Sequence, residues 1–342
     1  MTWSTHTWAR RDECAMWLVI ILVPALVTAV LIAVARRSRL ARVFADVPNE
    51  RSLHGAPTPR LGGIVLVASM LPFAAWHADA PLATVLGCAA FLALLSLGDD
   101  YRSLPIEVRL PAHFAAALVV VLAGTRAGFS PAGVVEATLA VLAIVWMTNA
   151  FNFMDGADGL AGGMGLFGFA TLGVGAVLAG DTSIAVACAA IASAACGFLL
   201  HNFPPARVFL GDAGSVPLGF LAGALGWLGF TDGIWPAWFP VLAFAPFLVD
   251  ATLTLVRRIA RRERFWKAHR SHAYQRLVLE GWSRTRLALS AYALMAFSGL
   301  AAVLALGCGA MGRAGILAGC VVVYVAIFTA IGFHLRQTTK RD

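Results

Sequence analysis

The chain has 342 residues, of which 60% are hydrophobic and only 13% charged, and its formal net charge is +8. A mean hydropathy of +0.79 excludes an ordinary soluble globule, because such apolar content is typical of proteins with many membrane helices. The sequence therefore predicts an all-α polytopic membrane protein. We expect one domain over residues 1–342, because the connecting loops are too short to fold alone.

About eleven apolar runs are candidate transmembrane helices. They cover residues 15–35, 61–77, 81–98, 110–124, 131–150, 163–179, 182–200, 213–231, 238–257, 287–307 and 314–335. No small-residue cleavage site follows the first run, so we expect an uncleaved span. The six cysteines are scattered and lack CxxC spacing, which indicates neither a zinc site nor a disulfide framework.

Basic residues are distributed unevenly between the two sides of the predicted bundle. If the runs alternate, 22 of the 26 Lys and Arg residues fall on one side. That side consists of the loops 36–60, 99–109, 149–162, 201–212 and 257–286 and the C-terminus. The positive-inside rule then places the N-terminus outside and the C-terminus in the cytoplasm. Topology and contact with membrane lipid headgroups explain the positive charge, so no nucleic-acid partner is expected.

The few carboxylates gather on the same predicted side. Five of them fall at the ends of apolar runs: Asp99, Asp100, Asp155, Asp158 and Asp212. A carboxylate at mid-membrane costs about 2.5–3.5 kcal/mol, so three retained clusters indicate a functional site. Asp79, Asp181 and Asp232 fall on the other side and are interpreted as ordinary turn residues.

Two motifs come first along the chain. The segment 46–63 reads DVPNERSLHGAPTPRLGG, and its prolines and glycines exclude a regular helix. It is interpreted as a loop in which Arg51, His54 and Arg60 bind an anion, or as a plain basic loop. The segment 98–105, GDDYRSLP, begins with adjacent carboxylates that repel each other unless a cation or a proton accompanies them. It indicates either a hard divalent ion such as Mg²⁺ or a solvated acidic helix end.

The segment 149–160, NAFNFMDGADGL, carries polar side chains at every third residue of a helix end: Asn149, Asn152, Asp155 and Asp158. This spacing keeps the side chains near one face for about one turn, before the glycines permit a sharp exit. We interpret the segment as a metal or nucleotide site, with a capped helix and polar turn as the alternative.

Two further motifs complete the set. In 207–219, RVFLGDAGSVPLG, Asp212 precedes a new run whose exposed N–H groups favour anions, and Phe209 offers a flat face. A simple N-cap is the alternative. The segment 257–277 is rich in arginine and holds His269 and His272, although a basic amphipathic surface helix would look similar. No serine has a GxSxG context, so Ser-His-Asp catalysis is not indicated. Together the motifs predict a composite site for a phosphate-rich substrate.

In this order the motifs resemble those of the polyprenyl-phosphate N-acetylhexosamine-1-phosphate transferases, glycosyltransferase family 4. The matching stretches are PNERSLHGAPTPRLGG, GDDYRSLP, NAFNFMDGADGLAGG, VFLGDAGSVPLG and HRSHAYQRL. The loop near Arg51 looks closer to the O-antigen branch than to the peptidoglycan branch. The resemblance implies transfer of an N-acetylhexosamine-1-phosphate from a UDP-sugar to undecaprenyl phosphate, with release of UMP. It also implies Mg²⁺ or Mn²⁺ as cofactor, the cytoplasmic face of a bacterial inner membrane, and a homodimer.

The resemblance also implies roles for individual residues. Metal ligands would be Asn152 and Asp212. Catalytic residues would be Asp99, Asp100, Asp155 and His272. Substrate-binding residues would be Asn149, Asp158, Phe209, Arg51, His54, Arg60 and Arg270. Among these, Asp99 would deprotonate or position the lipid phosphate, and Asp158 and Phe209 would lie near the uracil ring.

One departure separates this chain from the family pattern. The family often reads RSHxHHRL where this chain has Tyr274 and Gln275 in place of two histidines. A mechanism that needs those histidines as bases is therefore in doubt, whereas hydrogen bonding can survive the change. The alternative to an enzyme is a non-enzymatic polytopic transporter, for which Asp250, inside the ninth run, is the one suitable residue.

Overall fold

The computed structural model describes residues 3–46, 57–124, 130–264 and 269–338. Within these ranges the chain is mostly helical, as predicted. The helices are α1 Trp3–Ala35, α2 Leu40–Val43, α3 Gly62–Ala74, α4 Ala80–Arg102, α5 Ile106–Gly124, α6 Pro131–Met154 and α7 Leu160–Ala179. They continue with α8 Thr182–Asn202, α9 Asp212–Thr231, α10 Trp238–Ala243, α11 Ala245–Ala260, α12 Ala273–Leu279, α13 Arg284–Leu306 and α14 Ala310–Thr338.

Nine described helices are long and apolar enough to cross a membrane: α1, α4 to α9, α13 and α14. The other two predicted runs are helical but different in form. Helix α3 has 13 residues, or about 20 Å, whereas a bilayer core is about 30 Å thick. The run 238–257 is split at Phe244 into α10 and α11, because Pro246 lacks the N–H group that would continue the helix. The count of eleven spans and the orientation of the termini remain predictions.

Helix α9 lies at the centre of the bundle. It has the largest buried share of the nine candidate spans, and it packs against α4 and α6, while α8 packs against α1 and α7. Gly219 and Gly223 let α9 approach the α6 backbone closely, since a Cβ at Gly223 would lie 2.9 Å from Cα of Ile144. The first residue of α9 is therefore held between the ends of α4 and α6.

The glycine pair of the first motif brings α3 against the start of α9. The N–H groups of Gly62 and Gly63 donate to the carbonyls of Phe209 (2.9 Å) and Leu210 (2.8 Å). A Cβ at Gly63 would overlap the backbone of Gly214, so only glycine fits there. This contact explains why a flexible-looking sequence has a fixed position beside the α9 N-terminus.

A small departure from the all-α prediction precedes α3. Strands β1 (Ala45–Asp46) and β2 (Thr58–Pro59) pair antiparallel, with Ala45 opposite Pro59 and Asp46 opposite Thr58. Arg60 follows β2 and forms a 2.7 Å ion pair with Asp46. The strand pair precedes Arg60, whose Cβ would lie 3.2 Å from a Cβ at Gly211, at the same end of the bundle.

The two predicted groups of carboxylates occupy opposite ends of the helices. Asp79 and Asp181 accept the N–H groups of Leu82 (3.0 Å) and Ile184 (2.8 Å), and thus cap the starts of α4 and α8. Asp232 follows the end of α9. Asp99 and Asp100, near the end of α4, and Asp212, at the start of α9, lie about 20 residues, or about 30 Å, away at the other ends of these two helices.

Candidate active site

Two carboxylates from distant parts of the chain share one arginine. Asp99, near the end of α4, lies 2.8 Å through its Oδ2 from Nη1 of Arg109. The same nitrogen is 3.3 Å from Oδ2 of Asp212, the first residue of α9. The Asp99 side chain is almost completely buried, so this positive charge partly compensates two carboxylates that would otherwise repel each other.

Asp100 binds the start of α9 directly. Its two carboxylate oxygens accept the N–H groups of Asp212 (3.2 Å) and Ala213 (3.0 Å). Free N–H groups and the positive end of the helix dipole make this a favourable place for a negative charge. Gly211 has φ +71°, and a Cβ there would lie 2.7 Å from Oδ2 of Asp100. The glycine before Asp212 is therefore required by both its backbone angle and the neighbouring carboxylate.

Asn152 joins α6 to the same group. Its Nδ2 donates to Oδ1 of Asp212 at 2.9 Å and to Oγ of Ser215 at 3.0 Å. The structure thus brings Asn152 and Asp212, the predicted metal ligands, into contact.

The donor set at this point fits Mg²⁺. Among the described residues, no three His, Cys, Asp or Glu side chains form a ready metal-binding cluster. Mg²⁺ does not require one, since it is commonly held by one or two carboxylates together with substrate phosphates and water. Asn152 and Asp212 supply hard oxygen ligands, and Arg109 shows that a cation is accommodated between Asp99 and Asp212.

These groups border a cavity of about 570 Å³. Six of the predicted site residues line it: Arg60, Asn149, Asn152, Asp155, Asp212 and His272. Three nitrogens of the lining residues are buried without a hydrogen-bond partner in the described part of the chain, namely Nε of Arg109, Nδ1 of His113 and Nδ1 of His272. Arginine Nε–H is a donor and an imidazole N–H is a donor, so a bound anion would satisfy Nε of Arg109 and a protonated Nδ1 of His113.

Asp155 contributes a carboxyl group with unusual titration. It follows α6 and is half-buried at the cavity wall. Burial and the nearby carboxylates of Asp212 and Asp100 raise the pKa of Asp155 well above its ordinary value. Asp155 and Asp212 line the cavity and Asp100 lies beside Asp212, so a proton or a metal ion among these carboxylates is favoured.

The segment 269–277 closes another wall of the cavity. His272 lies directly before α12 and is only 4% exposed, and burial lowers the pKa of His269 to about 4, helped by the nearby His272 and Arg258. Tyr274 is buried, and its hydroxyl donates to the Phe153 carbonyl at 3.0 Å.

The residues that depart from the family pattern therefore have definite partners. Burial, with Asp250 and Asp155 nearby, raises the pKa of Tyr274, which keeps its hydroxyl protonated as a donor. Gln275 accepts the His272 N–H group through Oε1 at 3.4 Å, and both Tyr274 and Gln275 line the cavity. Tyr274 thus donates to a protein carbonyl and Gln275 accepts from a protein N–H group, and a role for either residue toward the substrate stays a prediction.

Three predicted substrate-binding residues do not line the cavity. Asp158 is buried and accepts the Ala206 N–H group (3.0 Å) and Arg284 (3.3 Å), so it ties the loop before Phe209 to α7 and α13. Phe209 itself pairs through its backbone with Pro59 and Gly62. The third, Arg270, lines a separate cleft together with four other arginines. The predicted residues Arg51 and His54 lie outside the described residues.

Sequence reasoning missed two residues that the structure brings to the site. Arg109 lies in the first turns of an apolar helix, where a lone arginine in IEVRLPAHF was an available signal. Asp250 suited a transporter because it interrupts an apolar run. It is 4% exposed and binds the backbone at the start of α12, so these contacts account for the feature that motivated the transporter alternative.

Comparisons with known proteins all match transferases. The family described as glycosyl transferase family 4 matches residues 82–229. A Bacillus subtilis protein named "Probable undecaprenyl-phosphate N-acetylglucosaminyl 1-phosphate transferase" is 28% identical over 297 residues, which is 82% of this chain and 83% of the relative. A Picosynechococcus phospho-N-acetylmuramoyl-pentapeptide-transferase is 30% identical over 307 residues, 78% of this chain and 81% of the relative. A Mycobacterium tuberculosis decaprenyl-phosphate N-acetylglucosaminephosphotransferase is 29% identical over 329 residues, 84% and 81% of the two chains.

Proposed function

We propose a reaction for this chain on the basis of its family, because the chain belongs to the polyprenyl-phosphate N-acetylhexosamine-1-phosphate transferases of glycosyl transferase family 4. The proposed reaction is transfer of an N-acetylhexosamine-1-phosphate from a UDP-sugar to undecaprenyl phosphate, with release of UMP. We further propose that Mg²⁺ is required and that the site faces the cytoplasm, where UDP-sugars are found.

One observation carries the proposal. Asn152, Asp155 and Asp212 belong to two helix ends far apart in sequence, yet they line one cavity beside Arg60 and Arg109. Asp99, at a third helix end, lies behind this wall and is joined to it through Arg109. Both proposed substrates are phosphates, and one is anchored in the bilayer. A polar cavity at the ends of apolar helices allows a lipid phosphate and a soluble anion to reach the same point.

The chemistry is a phosphoryl transfer. An oxygen of the lipid phosphate attacks the sugar-linked phosphorus of the donor, a new P–O bond forms, and the bond to UMP breaks with its electron pair leaving on the UMP oxygen. Bound Mg²⁺, held by Asn152 and Asp212, would neutralise phosphate charge. Asp99 positions the lipid phosphate or accepts its proton, and Arg109 holds Asp99 in place at 2.8 Å. Positioning and charge stabilisation would supply most of the acceleration.

An apolar groove supports binding of the lipid tail. A cavity of about 450 Å³ lies between α6, α9, α10 and α11, and apolar side chains such as Leu139, Ile144 and Val241 line most of it. Its lining includes Trp146 and Met147, one turn before Asn149 on α6. A polyprenyl chain in this groove would place its phosphate close to the polar cavity.

The finer identity of the substrate is part of the proposal. Relatives are named for N-acetylglucosamine and for N-acetylmuramoyl-pentapeptide transfer. We propose a UDP-N-acetylhexosamine donor and initiation of O-antigen or another cell-envelope polysaccharide, on the basis of the loop near Arg51 and the changed residues Tyr274 and Gln275. N-acetylglucosamine, N-acetylfucosamine and N-acetylquinovosamine are the candidates to compare. A homodimer stays a prediction.

The test is a reconstituted transfer reaction. Purified protein is incubated with undecaprenyl phosphate, Mg²⁺ and each UDP-N-acetylhexosamine in turn, and UMP release and lipid-linked product are measured. Asp212→Asn should abolish transfer, whereas Asp181→Asn, at an equivalent helix start on the other side, should preserve it because asparagine is an equally good N-cap. UMP release that is absent with every donor, or that survives in Asp212→Asn, would refute the proposal.

A further inference from the structure

Asp250 is a buried carboxylate with no role in the proposed transfer step. It lies in α11, and its oxygens accept the Ala273 N–H group at 2.9 Å and the Tyr274 N–H group at 3.2 Å. The Thr254 hydroxyl, one turn further along α11, donates to Oδ1 at 3.1 Å. Three donors from two helices therefore fix the orientation of this carboxylate.

The fixed carboxylate faces the histidine of the candidate site. Oδ1 of Asp250 lies 3.6 Å from Nδ1 of His272, and the side chains of both residues are 5% exposed. Nδ1 is buried and makes no hydrogen bond of normal geometry in the described part of the chain, although the His272 side chain forms a capping box with Gln275 at the start of α12. The His272 ring also lies 6.2 Å from the Phe153 ring and 5.9 Å from the Tyr274 ring, measured between centroids, so aromatic side chains limit its rotation.

We propose that Asp250 is a positioning residue that orients His272 toward the substrate cavity, which rests on the proposed transferase function. With Nδ1 directed at Asp250, the other ring nitrogen, Nε2, is left for the bound phosphates. A carboxylate behind a functional imidazole fixes both ring orientation and tautomer. A distance of 3.6 Å is longer than a hydrogen bond, and a small movement of the 269–277 segment on substrate binding closes it.

The competing explanation is purely structural, because Asp250 also holds the start of α12. The two explanations differ in how Asp250 and His272 combine. A positioning residue has nothing to act on once His272 is gone, whereas a structural residue still lowers activity in a His272 variant. A double-mutant cycle therefore separates them.

The cycle compares the full-length wild-type protein with Asp250→Asn, His272→Gln and the double variant in the reconstituted transfer assay. Asp250→Asn should lower kcat by about 10- to 100-fold, with KM for the UDP-sugar nearly unchanged. The double variant should be no slower than His272→Gln alone. Asp250→Glu, which keeps the charge, should recover part of the loss. Effects that multiply in the double variant, or a loss confined to KM, would overturn the inference.

Thr254→Val keeps the test valid if Asp250→Asn fails to fold. This nearly isosteric change removes one donor to Oδ1 without touching a charge, and we expect a kcat decrease of about 2- to 10-fold. That decrease should also disappear in the His272→Gln background, and its persistence there would overturn the inference. Wild-type protein without transfer activity would instead refute the proposed function, so the two failures are distinguishable.

Discussion

Gly156 and Tyr274 offer a stringent test of how the histidine-bearing segment closes the site. Gly156 follows α6, and a Cβ there would overlap the Tyr274 hydroxyl and lie 3.1 Å from its Cζ. Gly156 does not have a positive φ, so Gly156→Ala probes space alone. Tyr274 is buried, and its hydroxyl donates to Phe153, so the ring cannot move aside without losing that bond.

The magnitude follows from these two contacts. Overpacking against a buried side chain such as Tyr274 costs about 1–3 kcal/mol, and the lost hydrogen bond adds about 1 kcal/mol. Gly156→Ala should therefore lower the free energy of unfolding by about 2–4 kcal/mol. Tyr274→Phe alone should cost about 1 kcal/mol. In the double variant the overlapping oxygen is absent, so the cost should fall short of the sum by at least about 1 kcal/mol.

Equilibrium unfolding in mixed micelles measures these differences for the four proteins of the cycle. Gly87→Ala is the matched control, because a Cβ at Gly87 of α4 would have no atom within 4 Å, and this change should be neutral or slightly stabilising. Additive effects of Gly156→Ala and Tyr274→Phe would refute the reasoning, since they would mean that the hydroxyl does not fill the space beside Gly156.

Three further predictions concern the ends of α3, α6 and α9. The raised pKa of Asp155 means that the folded protein holds a proton that the unfolded chain releases, so stability should fall as the pH rises through that pKa. Asp155→Asn should reduce this decline in Tm, measured with a chelator present, and an unchanged decline would contradict the assignment. Gly63→Ala should destabilise the protein by about 3 kcal/mol or prevent its accumulation, because its Cβ meets the Gly214 backbone; normal yield and Tm would count against this packing. Asp100→Ala should cost about 1–2 kcal/mol of unfolding free energy by exposing the α9 N–H groups, and Asp100→Asn should cost less; equal costs would argue against the capping role.

The membrane helices and the family of this protein can be predicted from short stretches of its sequence. Long apolar runs predict membrane helices because a helix that crosses a bilayer core needs about 20 mostly apolar residues. Among the described residues, nine of the predicted runs are helices long and apolar enough to cross a membrane. Motif order identified the family. The structure brings Asn152 and Asp212 into contact, places Asp155 at the same cavity and joins Asp99 to Asp212 through Arg109, while the roles of these residues stay predictions. A polar residue at the end of an apolar run can be recognised from its sequence neighbours alone, without knowledge of the fold.

Only the tertiary structure decided how these groups are connected. Arg109 and Asp250 act across more than 100 and more than 20 residues of sequence, respectively, and no local spacing reports such distances. Packing also separated Asp158 from the cavity, although it shares its motif with Asn152. The sequence by itself determined which residues are unusual for a membrane helix. The fold determined which of them touch, because contacts depend on how α9 sits between α4 and α6 and on the glycines that permit that approach.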